Sequence, residues 1–209
     1  MEINLLKIYE ILLKEYGHQE WWPADSSFEV AVGAILTQNT SWTNVEAAID
    51  RLRESGMLDA RKLAEESTEV IGALVKPAGF WKAKARTIKS IARVFSENSF
   101  EEGCNKPTRR ALLEIKGVGS ETADAILLYA FAEAAFVVDK YTRRLLIRLG
   151  LNPPEGYQAL QAIFVKSLPK DVELYREYHA LIVKHCKTVC KSTPACSECC
   201  LQSHCDLTK

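Results

Sequence analysis

The sequence predicts an all-α protein. Apolar residues recur at helical spacing along most of the 209 residues, as at Leu5, Ile8, Tyr9, Leu12 and Leu13, and again at Phe28, Val32, Ile35 and Leu36. The two-residue alternation that marks strands is nearly absent. Breaks at Pro23, Pro77-Ala78-Gly79, Lys116-Gly117-Val118-Gly119, Pro153-Pro154-Glu155-Gly156 and Pro169 leave short connections throughout. The two apolar patterns each mark a helix, and the same periodicity predicts others over 45–52, 61–66, 68–74, 83–95, 108–115, 121–131, 140–149, 157–168 and 172–186. After Cys186 the pattern dissolves into Cys, Ser, Thr, Lys and Pro, too polar a tail to order itself around a core.

Composition narrows the class. An apolar content of 47% with 26% charged residues suits a globular chain with a substantial core. No apolar run approaches the roughly 20 residues that span a bilayer, and the first residues lack the basic and apolar regions of a secretory signal, so the expectation is a cytoplasmic protein without a membrane partner. The 27 Lys and Arg balance the 27 Asp and Glu, so any nucleic-acid face must be local. Acid-free basic runs occur at Lys82, Lys84, Arg86, Lys89 and Arg93, and at Lys140, Arg143, Arg144 and Arg148; each is either a phosphate-facing groove or a solvated helix face.

Between two predicted helices lies Leu112-Leu113-Glu114-Ile115-Lys116-Gly117-Val118-Gly119-Ser120-Glu121. Glycines at 117 and 119 permit backbone conformations closed to other residues, and Ser120 is placed to cap the second helix. The free amides and the positive end of that helix would hold a phosphate without reading base sequence; the plainer alternative is an ordinary tight turn between helices. Downstream, Phe136-Val137-Val138-Asp139-Lys140-Tyr141 sets one carboxylate between an apolar approach and a basic helix. Asp139 there is an N-cap, a catalytic group, or both.

Six of seven cysteines fall between Cys186 and Cys205. In a reducing compartment that clustering suggests a metal rather than a disulfide framework. Cys190, Cys196, Cys199 and Cys205 form C-x5-C-x2-C-x5-C, dense enough for four thiolates around one centre; Cys186 is an alternative first ligand and Cys200 an alternative to Cys199. The spacing itself admits zinc or an iron-sulfur cluster.

The stretch from Leu113 to Leu149 resembles the helix-hairpin-helix, loop and aspartate signature of the endonuclease III superfamily of DNA glycosylases. The likeness extends from Phe28 to Cys205 through Leu36-Thr37-Gln38-Asn39-Thr40 and Gly79-Phe80-Trp81-Lys82-Ala83-Lys84-Ala85. It implies a two-lobed fold: one lobe over 21–133 containing the helix-hairpin-helix at 108–131, the other formed by 1–20 with 134–209, with the cluster loop at 186–205 and the cleft holding Asp139. It further implies a monomer that binds damaged double-stranded DNA, associated with the nucleoid when so bound, and a [4Fe-4S] cluster in preference to zinc. By position, Asp139 is the essential aspartate, Gln38 fills the gap left by an extruded nucleotide, and Phe80 or Trp81 wedges the opposite strand. Gly117, Val118, Gly119, Lys140 and Arg143 hold the backbone.

Bifunctional members carry a Schiff-base lysine two residues after the second hairpin glycine, where this chain has Glu121. A carboxylate cannot form an imine, so the resemblance implies a monofunctional enzyme without lysine-dependent lyase activity. Trp21-Trp22-Pro23 ahead of Leu36-Thr37-Gln38-Asn39-Thr40, with Trp42, is similar to the base pocket of the 3-methyladenine glycosylases of this type, whose cationic substrate is held by aromatic faces. The expected function is hydrolytic removal of an alkylated purine in base excision repair. The alternatives are an enzyme for oxidised pyrimidines or mismatched bases, and a non-catalytic DNA-damage-binding or iron-sulfur redox protein.

Overall fold

A computed structural model describes residues 3–98, 100 and 105–208. In chain order its helices are α1 (Leu5–Tyr16), α2 (Ser27–Leu36), α3 (Trp42–Glu54), α4 (Ala60–Glu65), α5 (Thr68–Leu74), α6 (Trp81–Asn98), α7 (Arg109–Glu114), α8 (Ser120–Phe131), α9 (Lys140–Arg148), α10 (Tyr157–Ser167) and α11 (Val172–Thr188). Short 3-10 turns lie at Lys76–Ala78, Cys196–Glu198, Gln202–His204 and Asp206–Thr208. Among the described residues there is no β-strand, as the spacing predicts, and no helix is long and apolar enough to cross a membrane. Most starts are fixed by a short polar side chain that accepts a first-turn N–H: Asn4, Ser26, Ser41, Asp59, Ser67, Thr108, Asp139 and Asp171.

The chain divides into two compact units, Met1–Trp21 with Ala134–Lys209, and Trp22–Glu133. In the second, α2 is buried on every side from Phe28 to Leu36, because apart from Glu29 those residues are apolar all round rather than along one stripe. It packs against α8 and α6, while α4 and α5 cover α6. Two ion pairs tie polar groups into this core. Arg53 holds the buried Glu29 at 2.7 Å, and Arg109 grips the fully buried Asp124 across α7 and α8, Nε to Oδ1 at 2.6 Å and Nη2 to Oδ2 at 3.3 Å.

In the first unit, α1 and α9 pack on α11. Its core is aromatic: Phe136 stacks on Phe164 with centroids 4.3 Å apart, and Tyr175 and Tyr178 meet Phe136 edge-on. The Tyr178 hydroxyl donates to the Leu5 carbonyl at 2.9 Å, and burial raises its pKa. Phe136, Val137 and Val138 are buried and lead directly into Asp139, the N-cap of α9.

Candidate active site

Asp139 uses its two carboxylate oxygens differently. Oδ1 accepts the N–H of Tyr141 at 2.9 Å, the N–H of Thr142 at 2.8 Å and the Thr142 hydroxyl at 2.9 Å, closing a capping box on α9. Oδ2 stands outside the cap, 4.0 Å from Nε2 of His179, with the Asp139 side chain 11% exposed. Asp139 is thus an N-cap through Oδ1 alone, and the cap does not use Oδ2. His179, on α11, is buried; desolvation lowers its pKa, the Asp139 carboxylate opposes that, and the Lys187 ammonium adds to it. Neither His179 nor Lys187 stands out in sequence as a partner of Asp139. Their spacing of eight along α11 puts them on one helix face, a signal that means something only once α11 is known to pack on α9.

The hairpin is built as the sequence implies, with two corrections. Gly117 adopts φ +97°, and a Cβ there would lie 2.2 Å from Thr87 Oγ1, so conformation and space both demand glycine. Gly119 has φ −96° with nothing crowding it, so freedom at positive φ is not what that position requires. Ser120 does not cap α8; Gly119 is the N-cap and provides no side-chain bond, because the helix starts one residue earlier than a Ser120 cap needs. The first-turn amides of α8 are therefore left without a side-chain cap. Val118 turns inward at 6% exposure, so only its backbone is available at the hairpin surface. Glu121 is exposed in the first turn, where a carboxylate suits the helix dipole.

Two further turns belong to the same unit as the hairpin. Gln38, just past α2, donates its amide to the Gly117 carbonyl at 3.1 Å and to the Thr122 hydroxyl at 3.0 Å. Phe80 is 71% exposed at φ +46°, whereas Trp81 lies against α5 so closely that a Cβ on Gly72 would meet its ring at 2.6 Å. Of the two predicted wedges, Phe80 is the one that projects. Trp22, Pro23 and Trp42 line a cavity of about 360 Å³ with Glu29, Glu46, Asp50 and Arg53. The indoles of Trp22 and Trp42 meet edge to face at 5.4 Å and 84°. Trp21 belongs to the other unit and is not among the residues that line it.

The basic runs are more structural than the sequence suggests. Arg143 donates to the carbonyls of Pro153 and Pro154, Arg144 to that of Cys186, and Arg148 to Cys190 Sγ at 2.9 Å and to the Ser192 carbonyl. Lys140 stays exposed, its ammonium 5.2 Å from the Tyr141 ring centroid. Lys84 is buried rather than phosphate-facing. Lys89 donates to the Glu66 carbonyl, and Arg86 and Arg93 remain beside it along a groove that also includes Lys116 and Gly117.

The sequence pattern of the HhH-GPD superfamily of base excision DNA repair proteins matches residues 32–170, which span the hairpin and Asp139. The chain belongs to that superfamily. A Methanocaldococcus jannaschii protein named as a DNA repair glycosylase is 48% identical, covering 96% of this chain and 95% of the relative. Endonuclease III of Thermotoga maritima is 32% identical over 91% of this chain and 85% of its own length. Among solved structures, the H. pylori 3-methyladenine DNA glycosylase bound to 1,N6-ethenoadenine superposes with TM-score 0.74 at 30% identity, covering 88% of this chain and 95% of that one. A non-covalent endonuclease III–DNA complex shares the fold at TM-score 0.83 and 21% identity, covering 99% and 96%.

The cysteine tail of this HhH-GPD protein follows α11 and carries Cys190, Cys196, Cys199 and Cys205. Burial raises the pKa of Cys199, and the charges of Cys190, Cys205 and Cys196 add to that rise. Among the described residues no three His, Cys, Asp or Glu side chains close around a single ion. Arg148 donates to the Cys190 sulfur, and hydrogen bonds from Cys186, His185 and Arg148 lower its pKa to about 4. Cys186 points its thiol at the Tyr141 carbonyl, and hydrogen bonding to Cys190 together with burial holds its pKa well above the usual thiol range. Burial also raises Cys200, to about 11.

Proposed function

We propose that this base excision repair protein is a monofunctional DNA glycosylase that extrudes a cationic, alkylated purine of the 3-methyladenine kind from duplex DNA and hydrolyses its N-glycosidic bond, leaving an abasic site. The observation that carries the reading is the division of Asp139, with Oδ1 spent on the cap and Oδ2 outside it at the end of a buried segment. An N3-alkylated purine is already a good leaving group. The protein then needs an ionised carboxylate near the sugar C1′ to stabilise positive charge or orient water, rather than a strong general acid.

Water as nucleophile agrees with Glu121 at the place where an amine would be required. The aromatic edge pair of Trp22 and Trp42, in a cavity with Glu46 and Asp50 on its wall, suits a flat cation. The likeness to the H. pylori enzyme bound to ethenoadenine supports the same substrate class. The hairpin amides would anchor phosphate, Gln38 would fill the vacated stack, and Phe80 would wedge the other strand. Cys190, Cys196, Cys199 and Cys205 would hold a [4Fe-4S] cluster whose part is to order the C-terminal loop.

The endonuclease III relatives favour a second substrate reading, oxidised pyrimidines with strand cleavage through an imine. Purified protein incubated with duplexes carrying single defined lesions decides between them. Release of alkylated purines, with no protein–DNA adduct trapped by borohydride, is expected; release of oxidised pyrimidines alone, or a trapped adduct, overturns the proposal.

A further inference from the structure

Lys84 occupies an unusual place for an ammonium. It lies in the first turns of α6, is 3% exposed, and its Nζ donates to the Leu36 carbonyl at 2.9 Å and to the Ala78 carbonyl at 2.7 Å. Burial lowers its pKa to about 8. Filling that space with an apolar side chain would avoid the cost of desolvating a cation, so the position is using the donors. Leu36 is the last residue of α2 and Ala78 closes the 3-10 turn Lys76–Ala78, so both acceptors are terminal carbonyls at the negative end of a helical segment, where a cation is favoured.

Each carbonyl stands two residues ahead of a side chain expected to enter the duplex, Leu36 ahead of Gln38 and Ala78 ahead of Phe80. Each tethered turn also holds a non-glycine residue in left-handed backbone, Asn39 at φ +53° and Phe80 at φ +46°. Such conformations persist only where surrounding structure enforces them, and they cluster at sites of action. The Lys84 ammonium bonds to the base of both turns at once.

We propose that Lys84 is a positioning residue for base extrusion, its ammonium clamping the turn that carries Gln38 to the turn that carries Phe80 so that the two side chains enter the duplex in fixed register. The inference rests on the reading of Gln38 as plug and Phe80 as wedge. It assigns Lys84 no contact with DNA. Loss of the clamp leaves the hairpin anchor intact, so attachment to the backbone survives while extrusion does not.

The test uses the full-length protein and a duplex with 2-aminopurine beside a stable abasic analogue, whose fluorescence rises when the stack is opened. Lys84→Met is expected to bind undamaged duplex within about twofold of wild type while losing at least about fivefold of the fluorescence rise, the cost of extrusion no longer being met. Lys84→Arg, which keeps the charge and the donors, is expected to recover most of the signal. A folded Lys84→Met with the full rise overturns the inference. Should Lys84→Met fail to fold, Lys84→Gln replaces it with the same expectation. Failure of both to fold, or an equal loss of binding and extrusion, makes Lys84 a plain structural residue and overturns the inference too. Gln38→Ala and Phe80→Ala separate the two levels. If they impair extrusion and Lys84→Met does not, the clamp alone is wrong; if they leave extrusion unchanged, the plug-and-wedge reading falls and takes the clamp with it.

Discussion

The side-chain amide of Gln38 lies 3.1 Å from the carbonyl oxygen of Gly117, so the residue read as the plug is docked on the hairpin read as the phosphate anchor. The Thr122 hydroxyl, one turn into α8, accepts from the same nitrogen. To enter DNA, Gln38 must exchange these bonds for contacts in the vacated stack. Each net bond is worth only about 1 kcal/mol, so the exchange is available on binding. Gln38→Ala is expected to bind intact duplex nearly as wild type and to excise a lesion about tenfold more slowly, because about 1.4 kcal/mol of the extrusion cost goes unmet. Single-turnover excision beside a duplex-binding titration checks it; equal rates would refute the plug.

Asp139 offers a cleaner separation of structure from chemistry. Asparagine caps as well as aspartate, so Asp139→Asn should keep the bonds to Tyr141 and Thr142 and melt close to wild type while base release falls by at least about a hundredfold. Asp139→Ala loses the cap as well and leaves the buried Thr142 hydroxyl without that acceptor, at about 1–2 kcal/mol. Thermal melting and base release on the two variants test this; base release by Asp139→Asn equal to wild type would refute the mechanism.

His179 sets a pH dependence of known sign. Its pKa is lowered in the fold, chiefly by burial, so the unfolded chain binds the proton more readily. The stability it contributes is complete above its ordinary value of about 6.5 and is lost as pH falls below that toward the depressed folded value. Melting temperature should therefore drop between about pH 7.5 and pH 5.5, and the drop should be smaller in His179→Gln. Identical pH profiles for the two proteins would show that His179 is not the titrating group.

The two candidate first ligands in the cysteine tail predict opposite outcomes. Freshly purified protein should show the broad brown absorption of an iron-sulfur cluster. Cys190→Ser should lose it and Cys186→Ser should keep it, since Arg148 supports the Cys190 sulfur whereas the Cys186 thiol is turned to a backbone carbonyl. A colourless protein containing stoichiometric zinc would overturn the cluster assignment.

Much of the helical framework was legible, and the reason is periodicity: α5 falls on the predicted 68–74 and α9 within a residue of 140–149, because an apolar stripe at 3.6-residue spacing requires no knowledge of a partner. Boundaries drifted where caps decide them. Trp42 begins α3 three residues ahead of the first apolar position because Ser41 caps it, and Ser120 enters α8 rather than capping it. The basic runs were misleading for a different reason. A charged residue at a helical position reads as solvated until its neighbours are known, and Arg148, Arg144 and Lys84 each have a sulfur or a carbonyl as partner that lies far away in the chain.

By itself the sequence determined most of the helices, the hairpin with its glycines, the aspartate between an apolar approach and a basic helix, and the spacing of four cysteines, because each of these is local chemistry. Only the tertiary structure decided that Asp139 faces His179 with one oxygen while capping with the other, that Phe80 projects and Trp81 does not, and that Lys84 spans two turns. Those facts depend on which side chains meet in the folded chain, Asp139 with His179 and Lys84 with Leu36 across 40 and 48 residues, and packing, unlike propensity or spacing, is written nowhere in the local sequence.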